Sequence, residues 1–276
     1  MSKTKKFKFL ILIPFSLMSL NALADGYINE NMLIFTSSSD GSDDPWKEHP
    51  KCIAIIQPAE TAKTWIVQYT YSDNKPLTSP FITTQKPSTK PNECENKIHF
   101  PDNIVGSGIF ESFYPNGKKR SRIEYTDGTY QGKLEFWFAN GLKEQESYVL
   151  DGSTTGDYKM WHPNGQLALS MKYKSEQVNG MKQRWYENGE PWTYVRFENG
   201  VMVGELKQWF QNQKLERQGQ YRNGLRQGEY KIWFNDGTPE AILNYQAGKI
   251  ISGQCWSESA KALTLKRCIN NYGAEE

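Results

Sequence analysis

Residues able to do acid–base or metal chemistry are few in this chain and scattered along it. The 276 residues hold three histidines, His49, His99 and His162, and four cysteines, Cys52, Cys94, Cys255 and Cys268. No His-Glu-x-x-His, Gly-x-Ser-x-Gly or Cys-x-x-Cys occurs, so the spacings that hold zinc, raise a serine nucleophile or run thiol exchange are missing. The acidic run Asp40-Gly-Ser-Asp-Asp44 lacks the alternating ligands and closing glutamate of a calcium loop and reads as a solvated turn. Each glycine of the recurring columns described next falls at a hairpin turn or a strand start, which leaves no phosphate-cradling loop. The sequence therefore points away from an enzyme, a metal or a cofactor.

Recognition chemistry is a different matter. Trp137, Trp161, Trp185, Trp209 and Trp233 recur at a constant 24-residue step, with Phe113 at the same place in the first copy. Three further columns keep that step. Gly108, Gly132, Gly156, Gly180, Gly204 and Gly228 stand five residues before each aromatic. Asn116-Gly117, Asn140-Gly141, Asn164-Gly165 and Asn188-Gly189 are continued by Asn212-Gln213 and Asp236-Gly237. Tyr125, Val149, Tyr173, Phe197, Tyr221 and Tyr245 close the units. A fixed period of this length over six copies means a repeat architecture between residues 108 and 253.

The element that positions these columns is a β-hairpin. Gly132-Lys-Leu-Glu-Phe-Trp-Phe138 reads as a strand, Asn140-Gly141 as a tight turn with both residues left-handed, and residues 142–149 as the returning strand. A second turn links the units at Asp127-Gly128, Asp151-Gly152, Asn199-Gly200, Asn223-Gly224 and Ala247-Gly248, with Glu176 breaking the pattern. Short turns at both ends of every strand force antiparallel neighbours and predict a long up-and-down meander.

Strand parity then sorts the side chains. Trp137 shares a face with Lys133 and Glu135, while Leu134, Phe136 and Phe138 take the other. Successive tryptophans stand two strands apart, about 9–10 Å, which leaves room for one side chain between them. The column either packs between hairpins as the repeat's own core or leaves part of a ladder open to a partner. In the fourth copy Lys182 and Arg184 replace the apolar residues of the face opposite Trp185, and Tyr186 follows. This basic notch is either tuned for a partner or tolerated drift. The partner-binding candidates are thus Trp137, Trp161, Trp185, Trp209, Trp233, Lys182, Arg184 and Tyr186.

The pattern of Gly, Tyr or Leu, Trp, an aromatic and Asn-Gly, closed by an aromatic and a second turn, resembles the variant MORN repeat and is similar to the arrays of the YwqK family of bacterial antitoxins. The resemblance covers residues 108–253, with Phe113, Gln213 and Glu176 as departures. It implies an array of hairpins used for protein contacts and, for YwqK-like members, the neutralising of a toxin. It brings no catalytic residues.

The ends suggest export. Lys3, Lys5, Lys6 and Lys8, an apolar run over residues 9–20 and Ala22-Leu23-Ala24 match a secretory signal cleaved after Ala24. The whole chain carries +2, and the signal holds four lysines and no acid, so the remainder carries −2. That balance argues against nucleic acid and against anionic membrane surfaces as partners. Four cysteines in an exported chain favour disulfides, for which Cys52–Cys94 and Cys255–Cys268 are the preferred pairing over free buried thiols.

Residues 25–104 read as a small β domain, with strands at residues 32–35, 52–56 and 65–71 and a long exposed loop over residues 72–91. Ser257 caps a predicted helix over residues 258–269. The expected fold is all-β: an extended single-layer meander of hairpins, a small N-terminal β domain and a short helical cap. The expected function is an exported, non-catalytic protein-interaction protein that binds a toxin or an envelope component. The alternative is an envelope scaffold or glycan-binding module that uses the aromatic ladder. Free sheet edges also make self-association an expectation.

Overall fold

The computed structural model describes residues 51–61, 63–88, 90–93 and 103–272. The signal segment, the strand expected at residues 32–35, the acidic run at 40–44, His49, His99 and Cys94 lie outside the described residues.

A small antiparallel sheet comes first, built from β1 (Lys51–Pro58), β2 (Trp65–Tyr71), β3 (Phe81–Thr83) and β4 (Asn92–Glu93) in the order β3-β2-β1-β4. The meander follows as β5 (Gly108–Phe113), β6 (Lys119–Thr126), β7 (Thr129–Trp137), β8 (Lys143–Leu150), β9 (Ser153–Trp161) and β10 (Leu167–Lys174). It continues through β11 (Gln177–Val178), β12 (Gly180–Trp185), β13 (Pro191–Glu198) and β14 (Val201–Trp209). The last strands are β15 (Leu215–Arg222), β16 (Leu225–Trp233), β17 (Pro239–Gln246) and β18 (Lys249–Cys255), before α1 (Leu265–Tyr272). The meander strands stand in sequence order, except that the short β11 pairs only with β10. The fold is therefore all-β, as the repeat period requires.

The two turns of each unit solve different problems. At the Asn-Gly tips, Gly117 N–H donates to Tyr114 O at 2.8 Å and Tyr114 N–H to Lys118 O at 2.8 Å, which makes a three-residue loop ending in a left-handed glycine (φ 79°). Asn116 is not left-handed, which corrects the expectation that both turn residues would be. Its Oδ1 accepts from Lys118 N–H at 3.0 Å and so closes the turn with a side chain. The tight turn with two left-handed residues is the other one: Asp127 (φ 49°) and Gly128 (φ 73°) join Thr126 to Thr129.

The glycine column is a second correction. Gly132, Gly156, Gly204 and Gly228 lie inside nine-residue strands, and with Gly180 they have φ between 70° and 111°. In those four strands the register with the preceding strand slips beside the glycine. The glycine strand carries two residues more than its partner there, and a β-bulge of this kind increases the local twist. The column therefore supplies a repeated bend.

The apolar face is covered at both ends. Val67, Tyr69, Leu77 and Phe81 from the N-terminal part pack with Phe110, Ile123 and Leu134 of the first copies. The segment expected as an exposed loop over residues 72–91 contributes here: it contains β3 and buries Leu77, Thr78 and Phe81. It also covers the β5 edge, where Phe113 N–H donates to Leu77 O at 2.8 Å and Ser79 N–H to Glu111 O at 2.8 Å.

At the far end Tyr230, Ile232, Leu243 and Tyr245 pack with Cys255, Leu263, Cys268 and Tyr272. The Cys255–Cys268 disulfide forms as expected, with Cα atoms 5.8 Å apart. Cys52 is buried, and its expected partner Cys94 lies outside the described residues. The helix starts later than expected. Ala260 turns left-handed (φ 57°) and Leu263 N–H folds back to Cys255 O at 2.8 Å, so Thr264, accepting from Arg267 N–H, stands at the helix start in place of Ser257. The middle of the apolar face, with Met160, Leu169, Met171, Val195, Phe197 and Leu206, is built from the meander's own strands.

Candidate functional site

The eight candidate residues divide between the two faces of the sheet, and the structure does not bring them into one site. All five tryptophans are half-buried on the charged face. Each is paired across the hairpin with a fixed partner: Lys143 for Trp137, Leu167 for Trp161, Pro191 for Trp185, Leu215 for Trp209 and Pro239 for Trp233. The gap between successive rings is filled from the chain itself. Lys143 Nζ lies 5.9 Å from the Trp137 ring and 5.8 Å from the Trp161 ring. Tyr194 stands edge-on between Trp185 and Trp209, at 6.3 and 5.1 Å. Such contacts stabilise the rings through the cation or the ring quadrupole. The column is thus a partly covered stack.

Charges on that face neutralise one another. Glu135, buried at 9 % exposure, faces Lys143 at 2.7 Å, Lys133 at 2.9 Å and Arg122 at 3.6 Å. Glu146 meets Lys143 at 2.7 Å and Lys133 at 3.1 Å. Burial raises the Glu135 carboxyl, and the bonds from Lys143 and Lys133 outweigh it, holding the group below its ordinary value.

The opposite face differs in the fourth copy. Arg184 occupies the position of Phe136, Met160 and Ile232 in other copies, and its guanidinium sits 4.9 Å from the Trp192 ring. Trp192 stacks on Tyr186 at 5.5 Å and 25°, and Tyr186 Oη donates to Trp209 O at 2.7 Å. Burial pushes the Arg184 guanidinium below its ordinary value, with no charged neighbour offsetting it. Lys182 is buried at 6 % exposure with Nζ over the Phe197 ring at 5.5 Å, so it packs with the apolar row.

Trp192 was missed in the sequence. Within residues 108–253 it is the tryptophan off the 24-residue column, at the extra residue between the Trp185–Pro191 and Arg184–Thr193 pairs. Other copies have Arg120, Glu144, Ala168, Glu216 and Glu240 there, so an aromatic outside the column was the available signal.

His162, standing where other copies have Tyr or Phe, places Nε2 2.9 Å from Trp185 O. A carbonyl only accepts, so that nitrogen carries the proton, and the ring does what the Tyr114 and Tyr186 hydroxyls do in their copies. Among the described residues no group of three His, Cys, Asp or Glu gathers as a metal site. No helix among them is long and apolar enough to cross a membrane.

No curated protein matches the chain. The MORN repeat variant family matches residues 107–127, 154–175 and 226–247, each spanning one hairpin, its two strands and the tip between them. Repeats of this kind generally serve as protein- or membrane-binding modules. The three matched segments fall in register with the 24-residue hairpins and support a MORN-type repeat for this part of the chain.

Proposed function

We propose that the chain is an exported, non-catalytic protein-binding array whose role is to neutralise a toxin by occupying it. The observation that carries the reading is the middle of the apolar face. The N-terminal sheet covers one end of that face and the helix the other, while Arg184, Tyr186 and Trp192 between them stay half-buried. A preorganised aromatic cluster with one cation is the composition of a protein-interface anchor. The Cys255–Cys268 bridge supports an oxidising compartment. Export would place the array in the periplasm or outside the cell.

Co-expression with the toxin candidates encoded beside its own gene tests this reading. Protection is the expected result, and cells that die as fast as those without the array would remove the immunity role.

The half-buried tryptophan column favours a second reading, a glycan-binding or envelope-scaffold module, because flat rings suit sugar faces. Its rings already carry Lys143 and Tyr194, which supports the protein partner instead. Retention on isolated peptidoglycan that disappears in Trp161→Ala and Trp209→Ala would favour the glycan.

A further inference from the structure

We infer that the fourth copy holds a carboxylate-binding site, in which the Arg184 guanidinium, set over Trp192, takes an acidic side chain presented by a partner protein. The inference rests on the protein-binding reading above and names the partner's chemistry.

Four observations converge on it. First, the guanidinium is half-buried, yet among the described residues no carboxylate pairs with it and its contact is the Trp192 ring. A desolvated cation without a counter-charge destabilises the fold, and an incoming anion offsets that cost. The acid of the neighbouring hairpin, Glu216, is already engaged: it accepts from Gln208 Nε2 at 2.8 Å and lies 3.3 Å from Arg217 Nε.

Second, the arginine's ring partner is held in place. Trp192 is stacked on Tyr186, and the Tyr186 hydroxyl is tied to the next hairpin at Trp209 O. A partner side chain therefore meets a surface whose rotamers are largely fixed before it arrives.

Third, the backbone is irregular here. The first strand of this copy is split into β11 and β12, and just two residue pairs, Leu169–Arg184 and Ser170–Gln183, join β12 to β10. The other linking-turn copies run uninterrupted for nine residues. Breaks of this kind re-aim side chains beside functional sites.

Fourth, the position is central on the apolar face, away from the clusters formed with the N-terminal sheet and with the helix. A single planar guanidinium fits one planar carboxylate through paired hydrogen bonds, and Trp192 and Tyr186 offer apolar surface to its stem. The net charge of −2 after signal removal gives no general attraction for polyanions, so a protein carboxylate is a better match than a phosphate-rich surface.

The test uses the full chain without its signal and a fluorescein-labelled decapeptide alternating glutamate and tyrosine, beside its glutamine and lysine counterparts. The variant is Arg184→Met, since methionine already fills this column at Met160 and keeps the strand packed. Arg196→Gln, an exposed cation two residues along from Tyr194 on the opposite face, is the control. The unaltered protein should bind the glutamate peptide about tenfold or more tightly than the glutamine one, as a charge-assisted pair provides. Arg184→Met should erase that preference and Arg196→Gln should keep it.

Equal affinity for the glutamate and glutamine peptides, or a preference that survives Arg184→Met, overturns the site. So does binding to phosphatidylserine vesicles that is lost in Arg184→Met when the peptides show no preference, because the arginine would then serve a lipid headgroup. Peptide preference without protection from any toxin removes the toxin reading and leaves the site standing. Protection that persists in Arg184→Met does the reverse.

Discussion

At position 176 the chain makes a left-handed turn without a glycine. Ser175 has φ 50° and Glu176 φ 65°, where the corresponding turns of the other copies end in Gly128, Gly152, Gly200, Gly224 and Gly248. An L residue pays about 1–2 kcal/mol to sit there. The compensation is an exposed hydrogen bond from Ser153 Oγ to Glu176 Oε1 at 2.7 Å, which contributes little in water. Glu176→Gly should therefore raise stability by about 1 kcal/mol, read as a higher urea midpoint with an unchanged slope. A lower midpoint would mean that Glu176 does more than close a turn. The sequence exposed Glu176, Lys182 and Arg184 because each breaks a column. It hid Trp192, because the residue sits between columns and only a bulge, which depends on pairing with another strand, turns it toward Arg184. It also hid that Lys182 is buried against Phe197, since a charged letter carries no information on how its stem packs.

Between hairpins, the tips are linked by side chains that both accept and donate. Asn140 Oδ1 accepts from Leu142 N–H at 2.9 Å while its Nδ2 donates to Pro163 O of the next tip at 2.7 Å. Asn116, Asn164 and Asn212 do the same to Ala139, Glu187 and Asn235. Asp236, in the last copy, has no following tip to bond and keeps the accepting half alone, to Thr238 N–H at 2.8 Å. Asn140→Asp should thus cost about 1 kcal/mol, by removing a donor and facing a carboxylate to a carbonyl, whereas Asp236→Asn should leave the thermal midpoint unchanged within error.

The ionic face makes a pH prediction. Side-chain bonds from Lys143 and Lys133 lower Glu146, and those on Glu135 outweigh its burial, so both carboxyls lie below the ordinary value of 4.5. A carboxyl lower in the folded state than in the unfolded one contributes stability above pH 4.5 that is lost as the pH falls through the folded values. The urea midpoint should decline below pH 4.5, and Glu135→Gln should flatten that decline. Strand positions were legible from alternation alone, whereas the two turn types were exchanged. Asn-Gly fits either geometry, and the choice depends on the asparagine side chain and on Pro115 and Pro163, which favour a right-handed second position. The helix was expected seven residues too early because Ser257 and Glu258 form a good cap signal that the disulfide and the returning Leu263 override.

For the molecule as a whole, what the sequence could not show was how the ends are closed. The period identified the array, but nothing in residues 72–91 revealed that Leu77 and Phe81 would serve as its first cover, since a Pro- and Ser-rich stretch has no periodicity to read. The second cover depends on a covalent staple. Cys255→Ser should cost about 3 kcal/mol for a loop of this size and should loosen the helix first, seen as early loss of amide protection in residues 265–272 while β7 to β10 stay protected. Simultaneous exchange of both regions would show that the array and its cover unfold as one unit.

The bulge glycines bear on the reach of such an array. In the second, third, fifth and sixth copies the glycine strand carries two residues more than its partner at the same depth, and such bulges increase the local right-handed twist. These copies should therefore turn the ribbon in one sense while each advances it by two strand widths. Lengthening the chain by one unit would rotate the far cover about the long axis in addition to moving it away. Under the proposed binding role, copy number would then set how the middle of the apolar face is oriented relative to the two covers, and gain or loss of a single 24-residue segment would re-aim it without altering any contact within it.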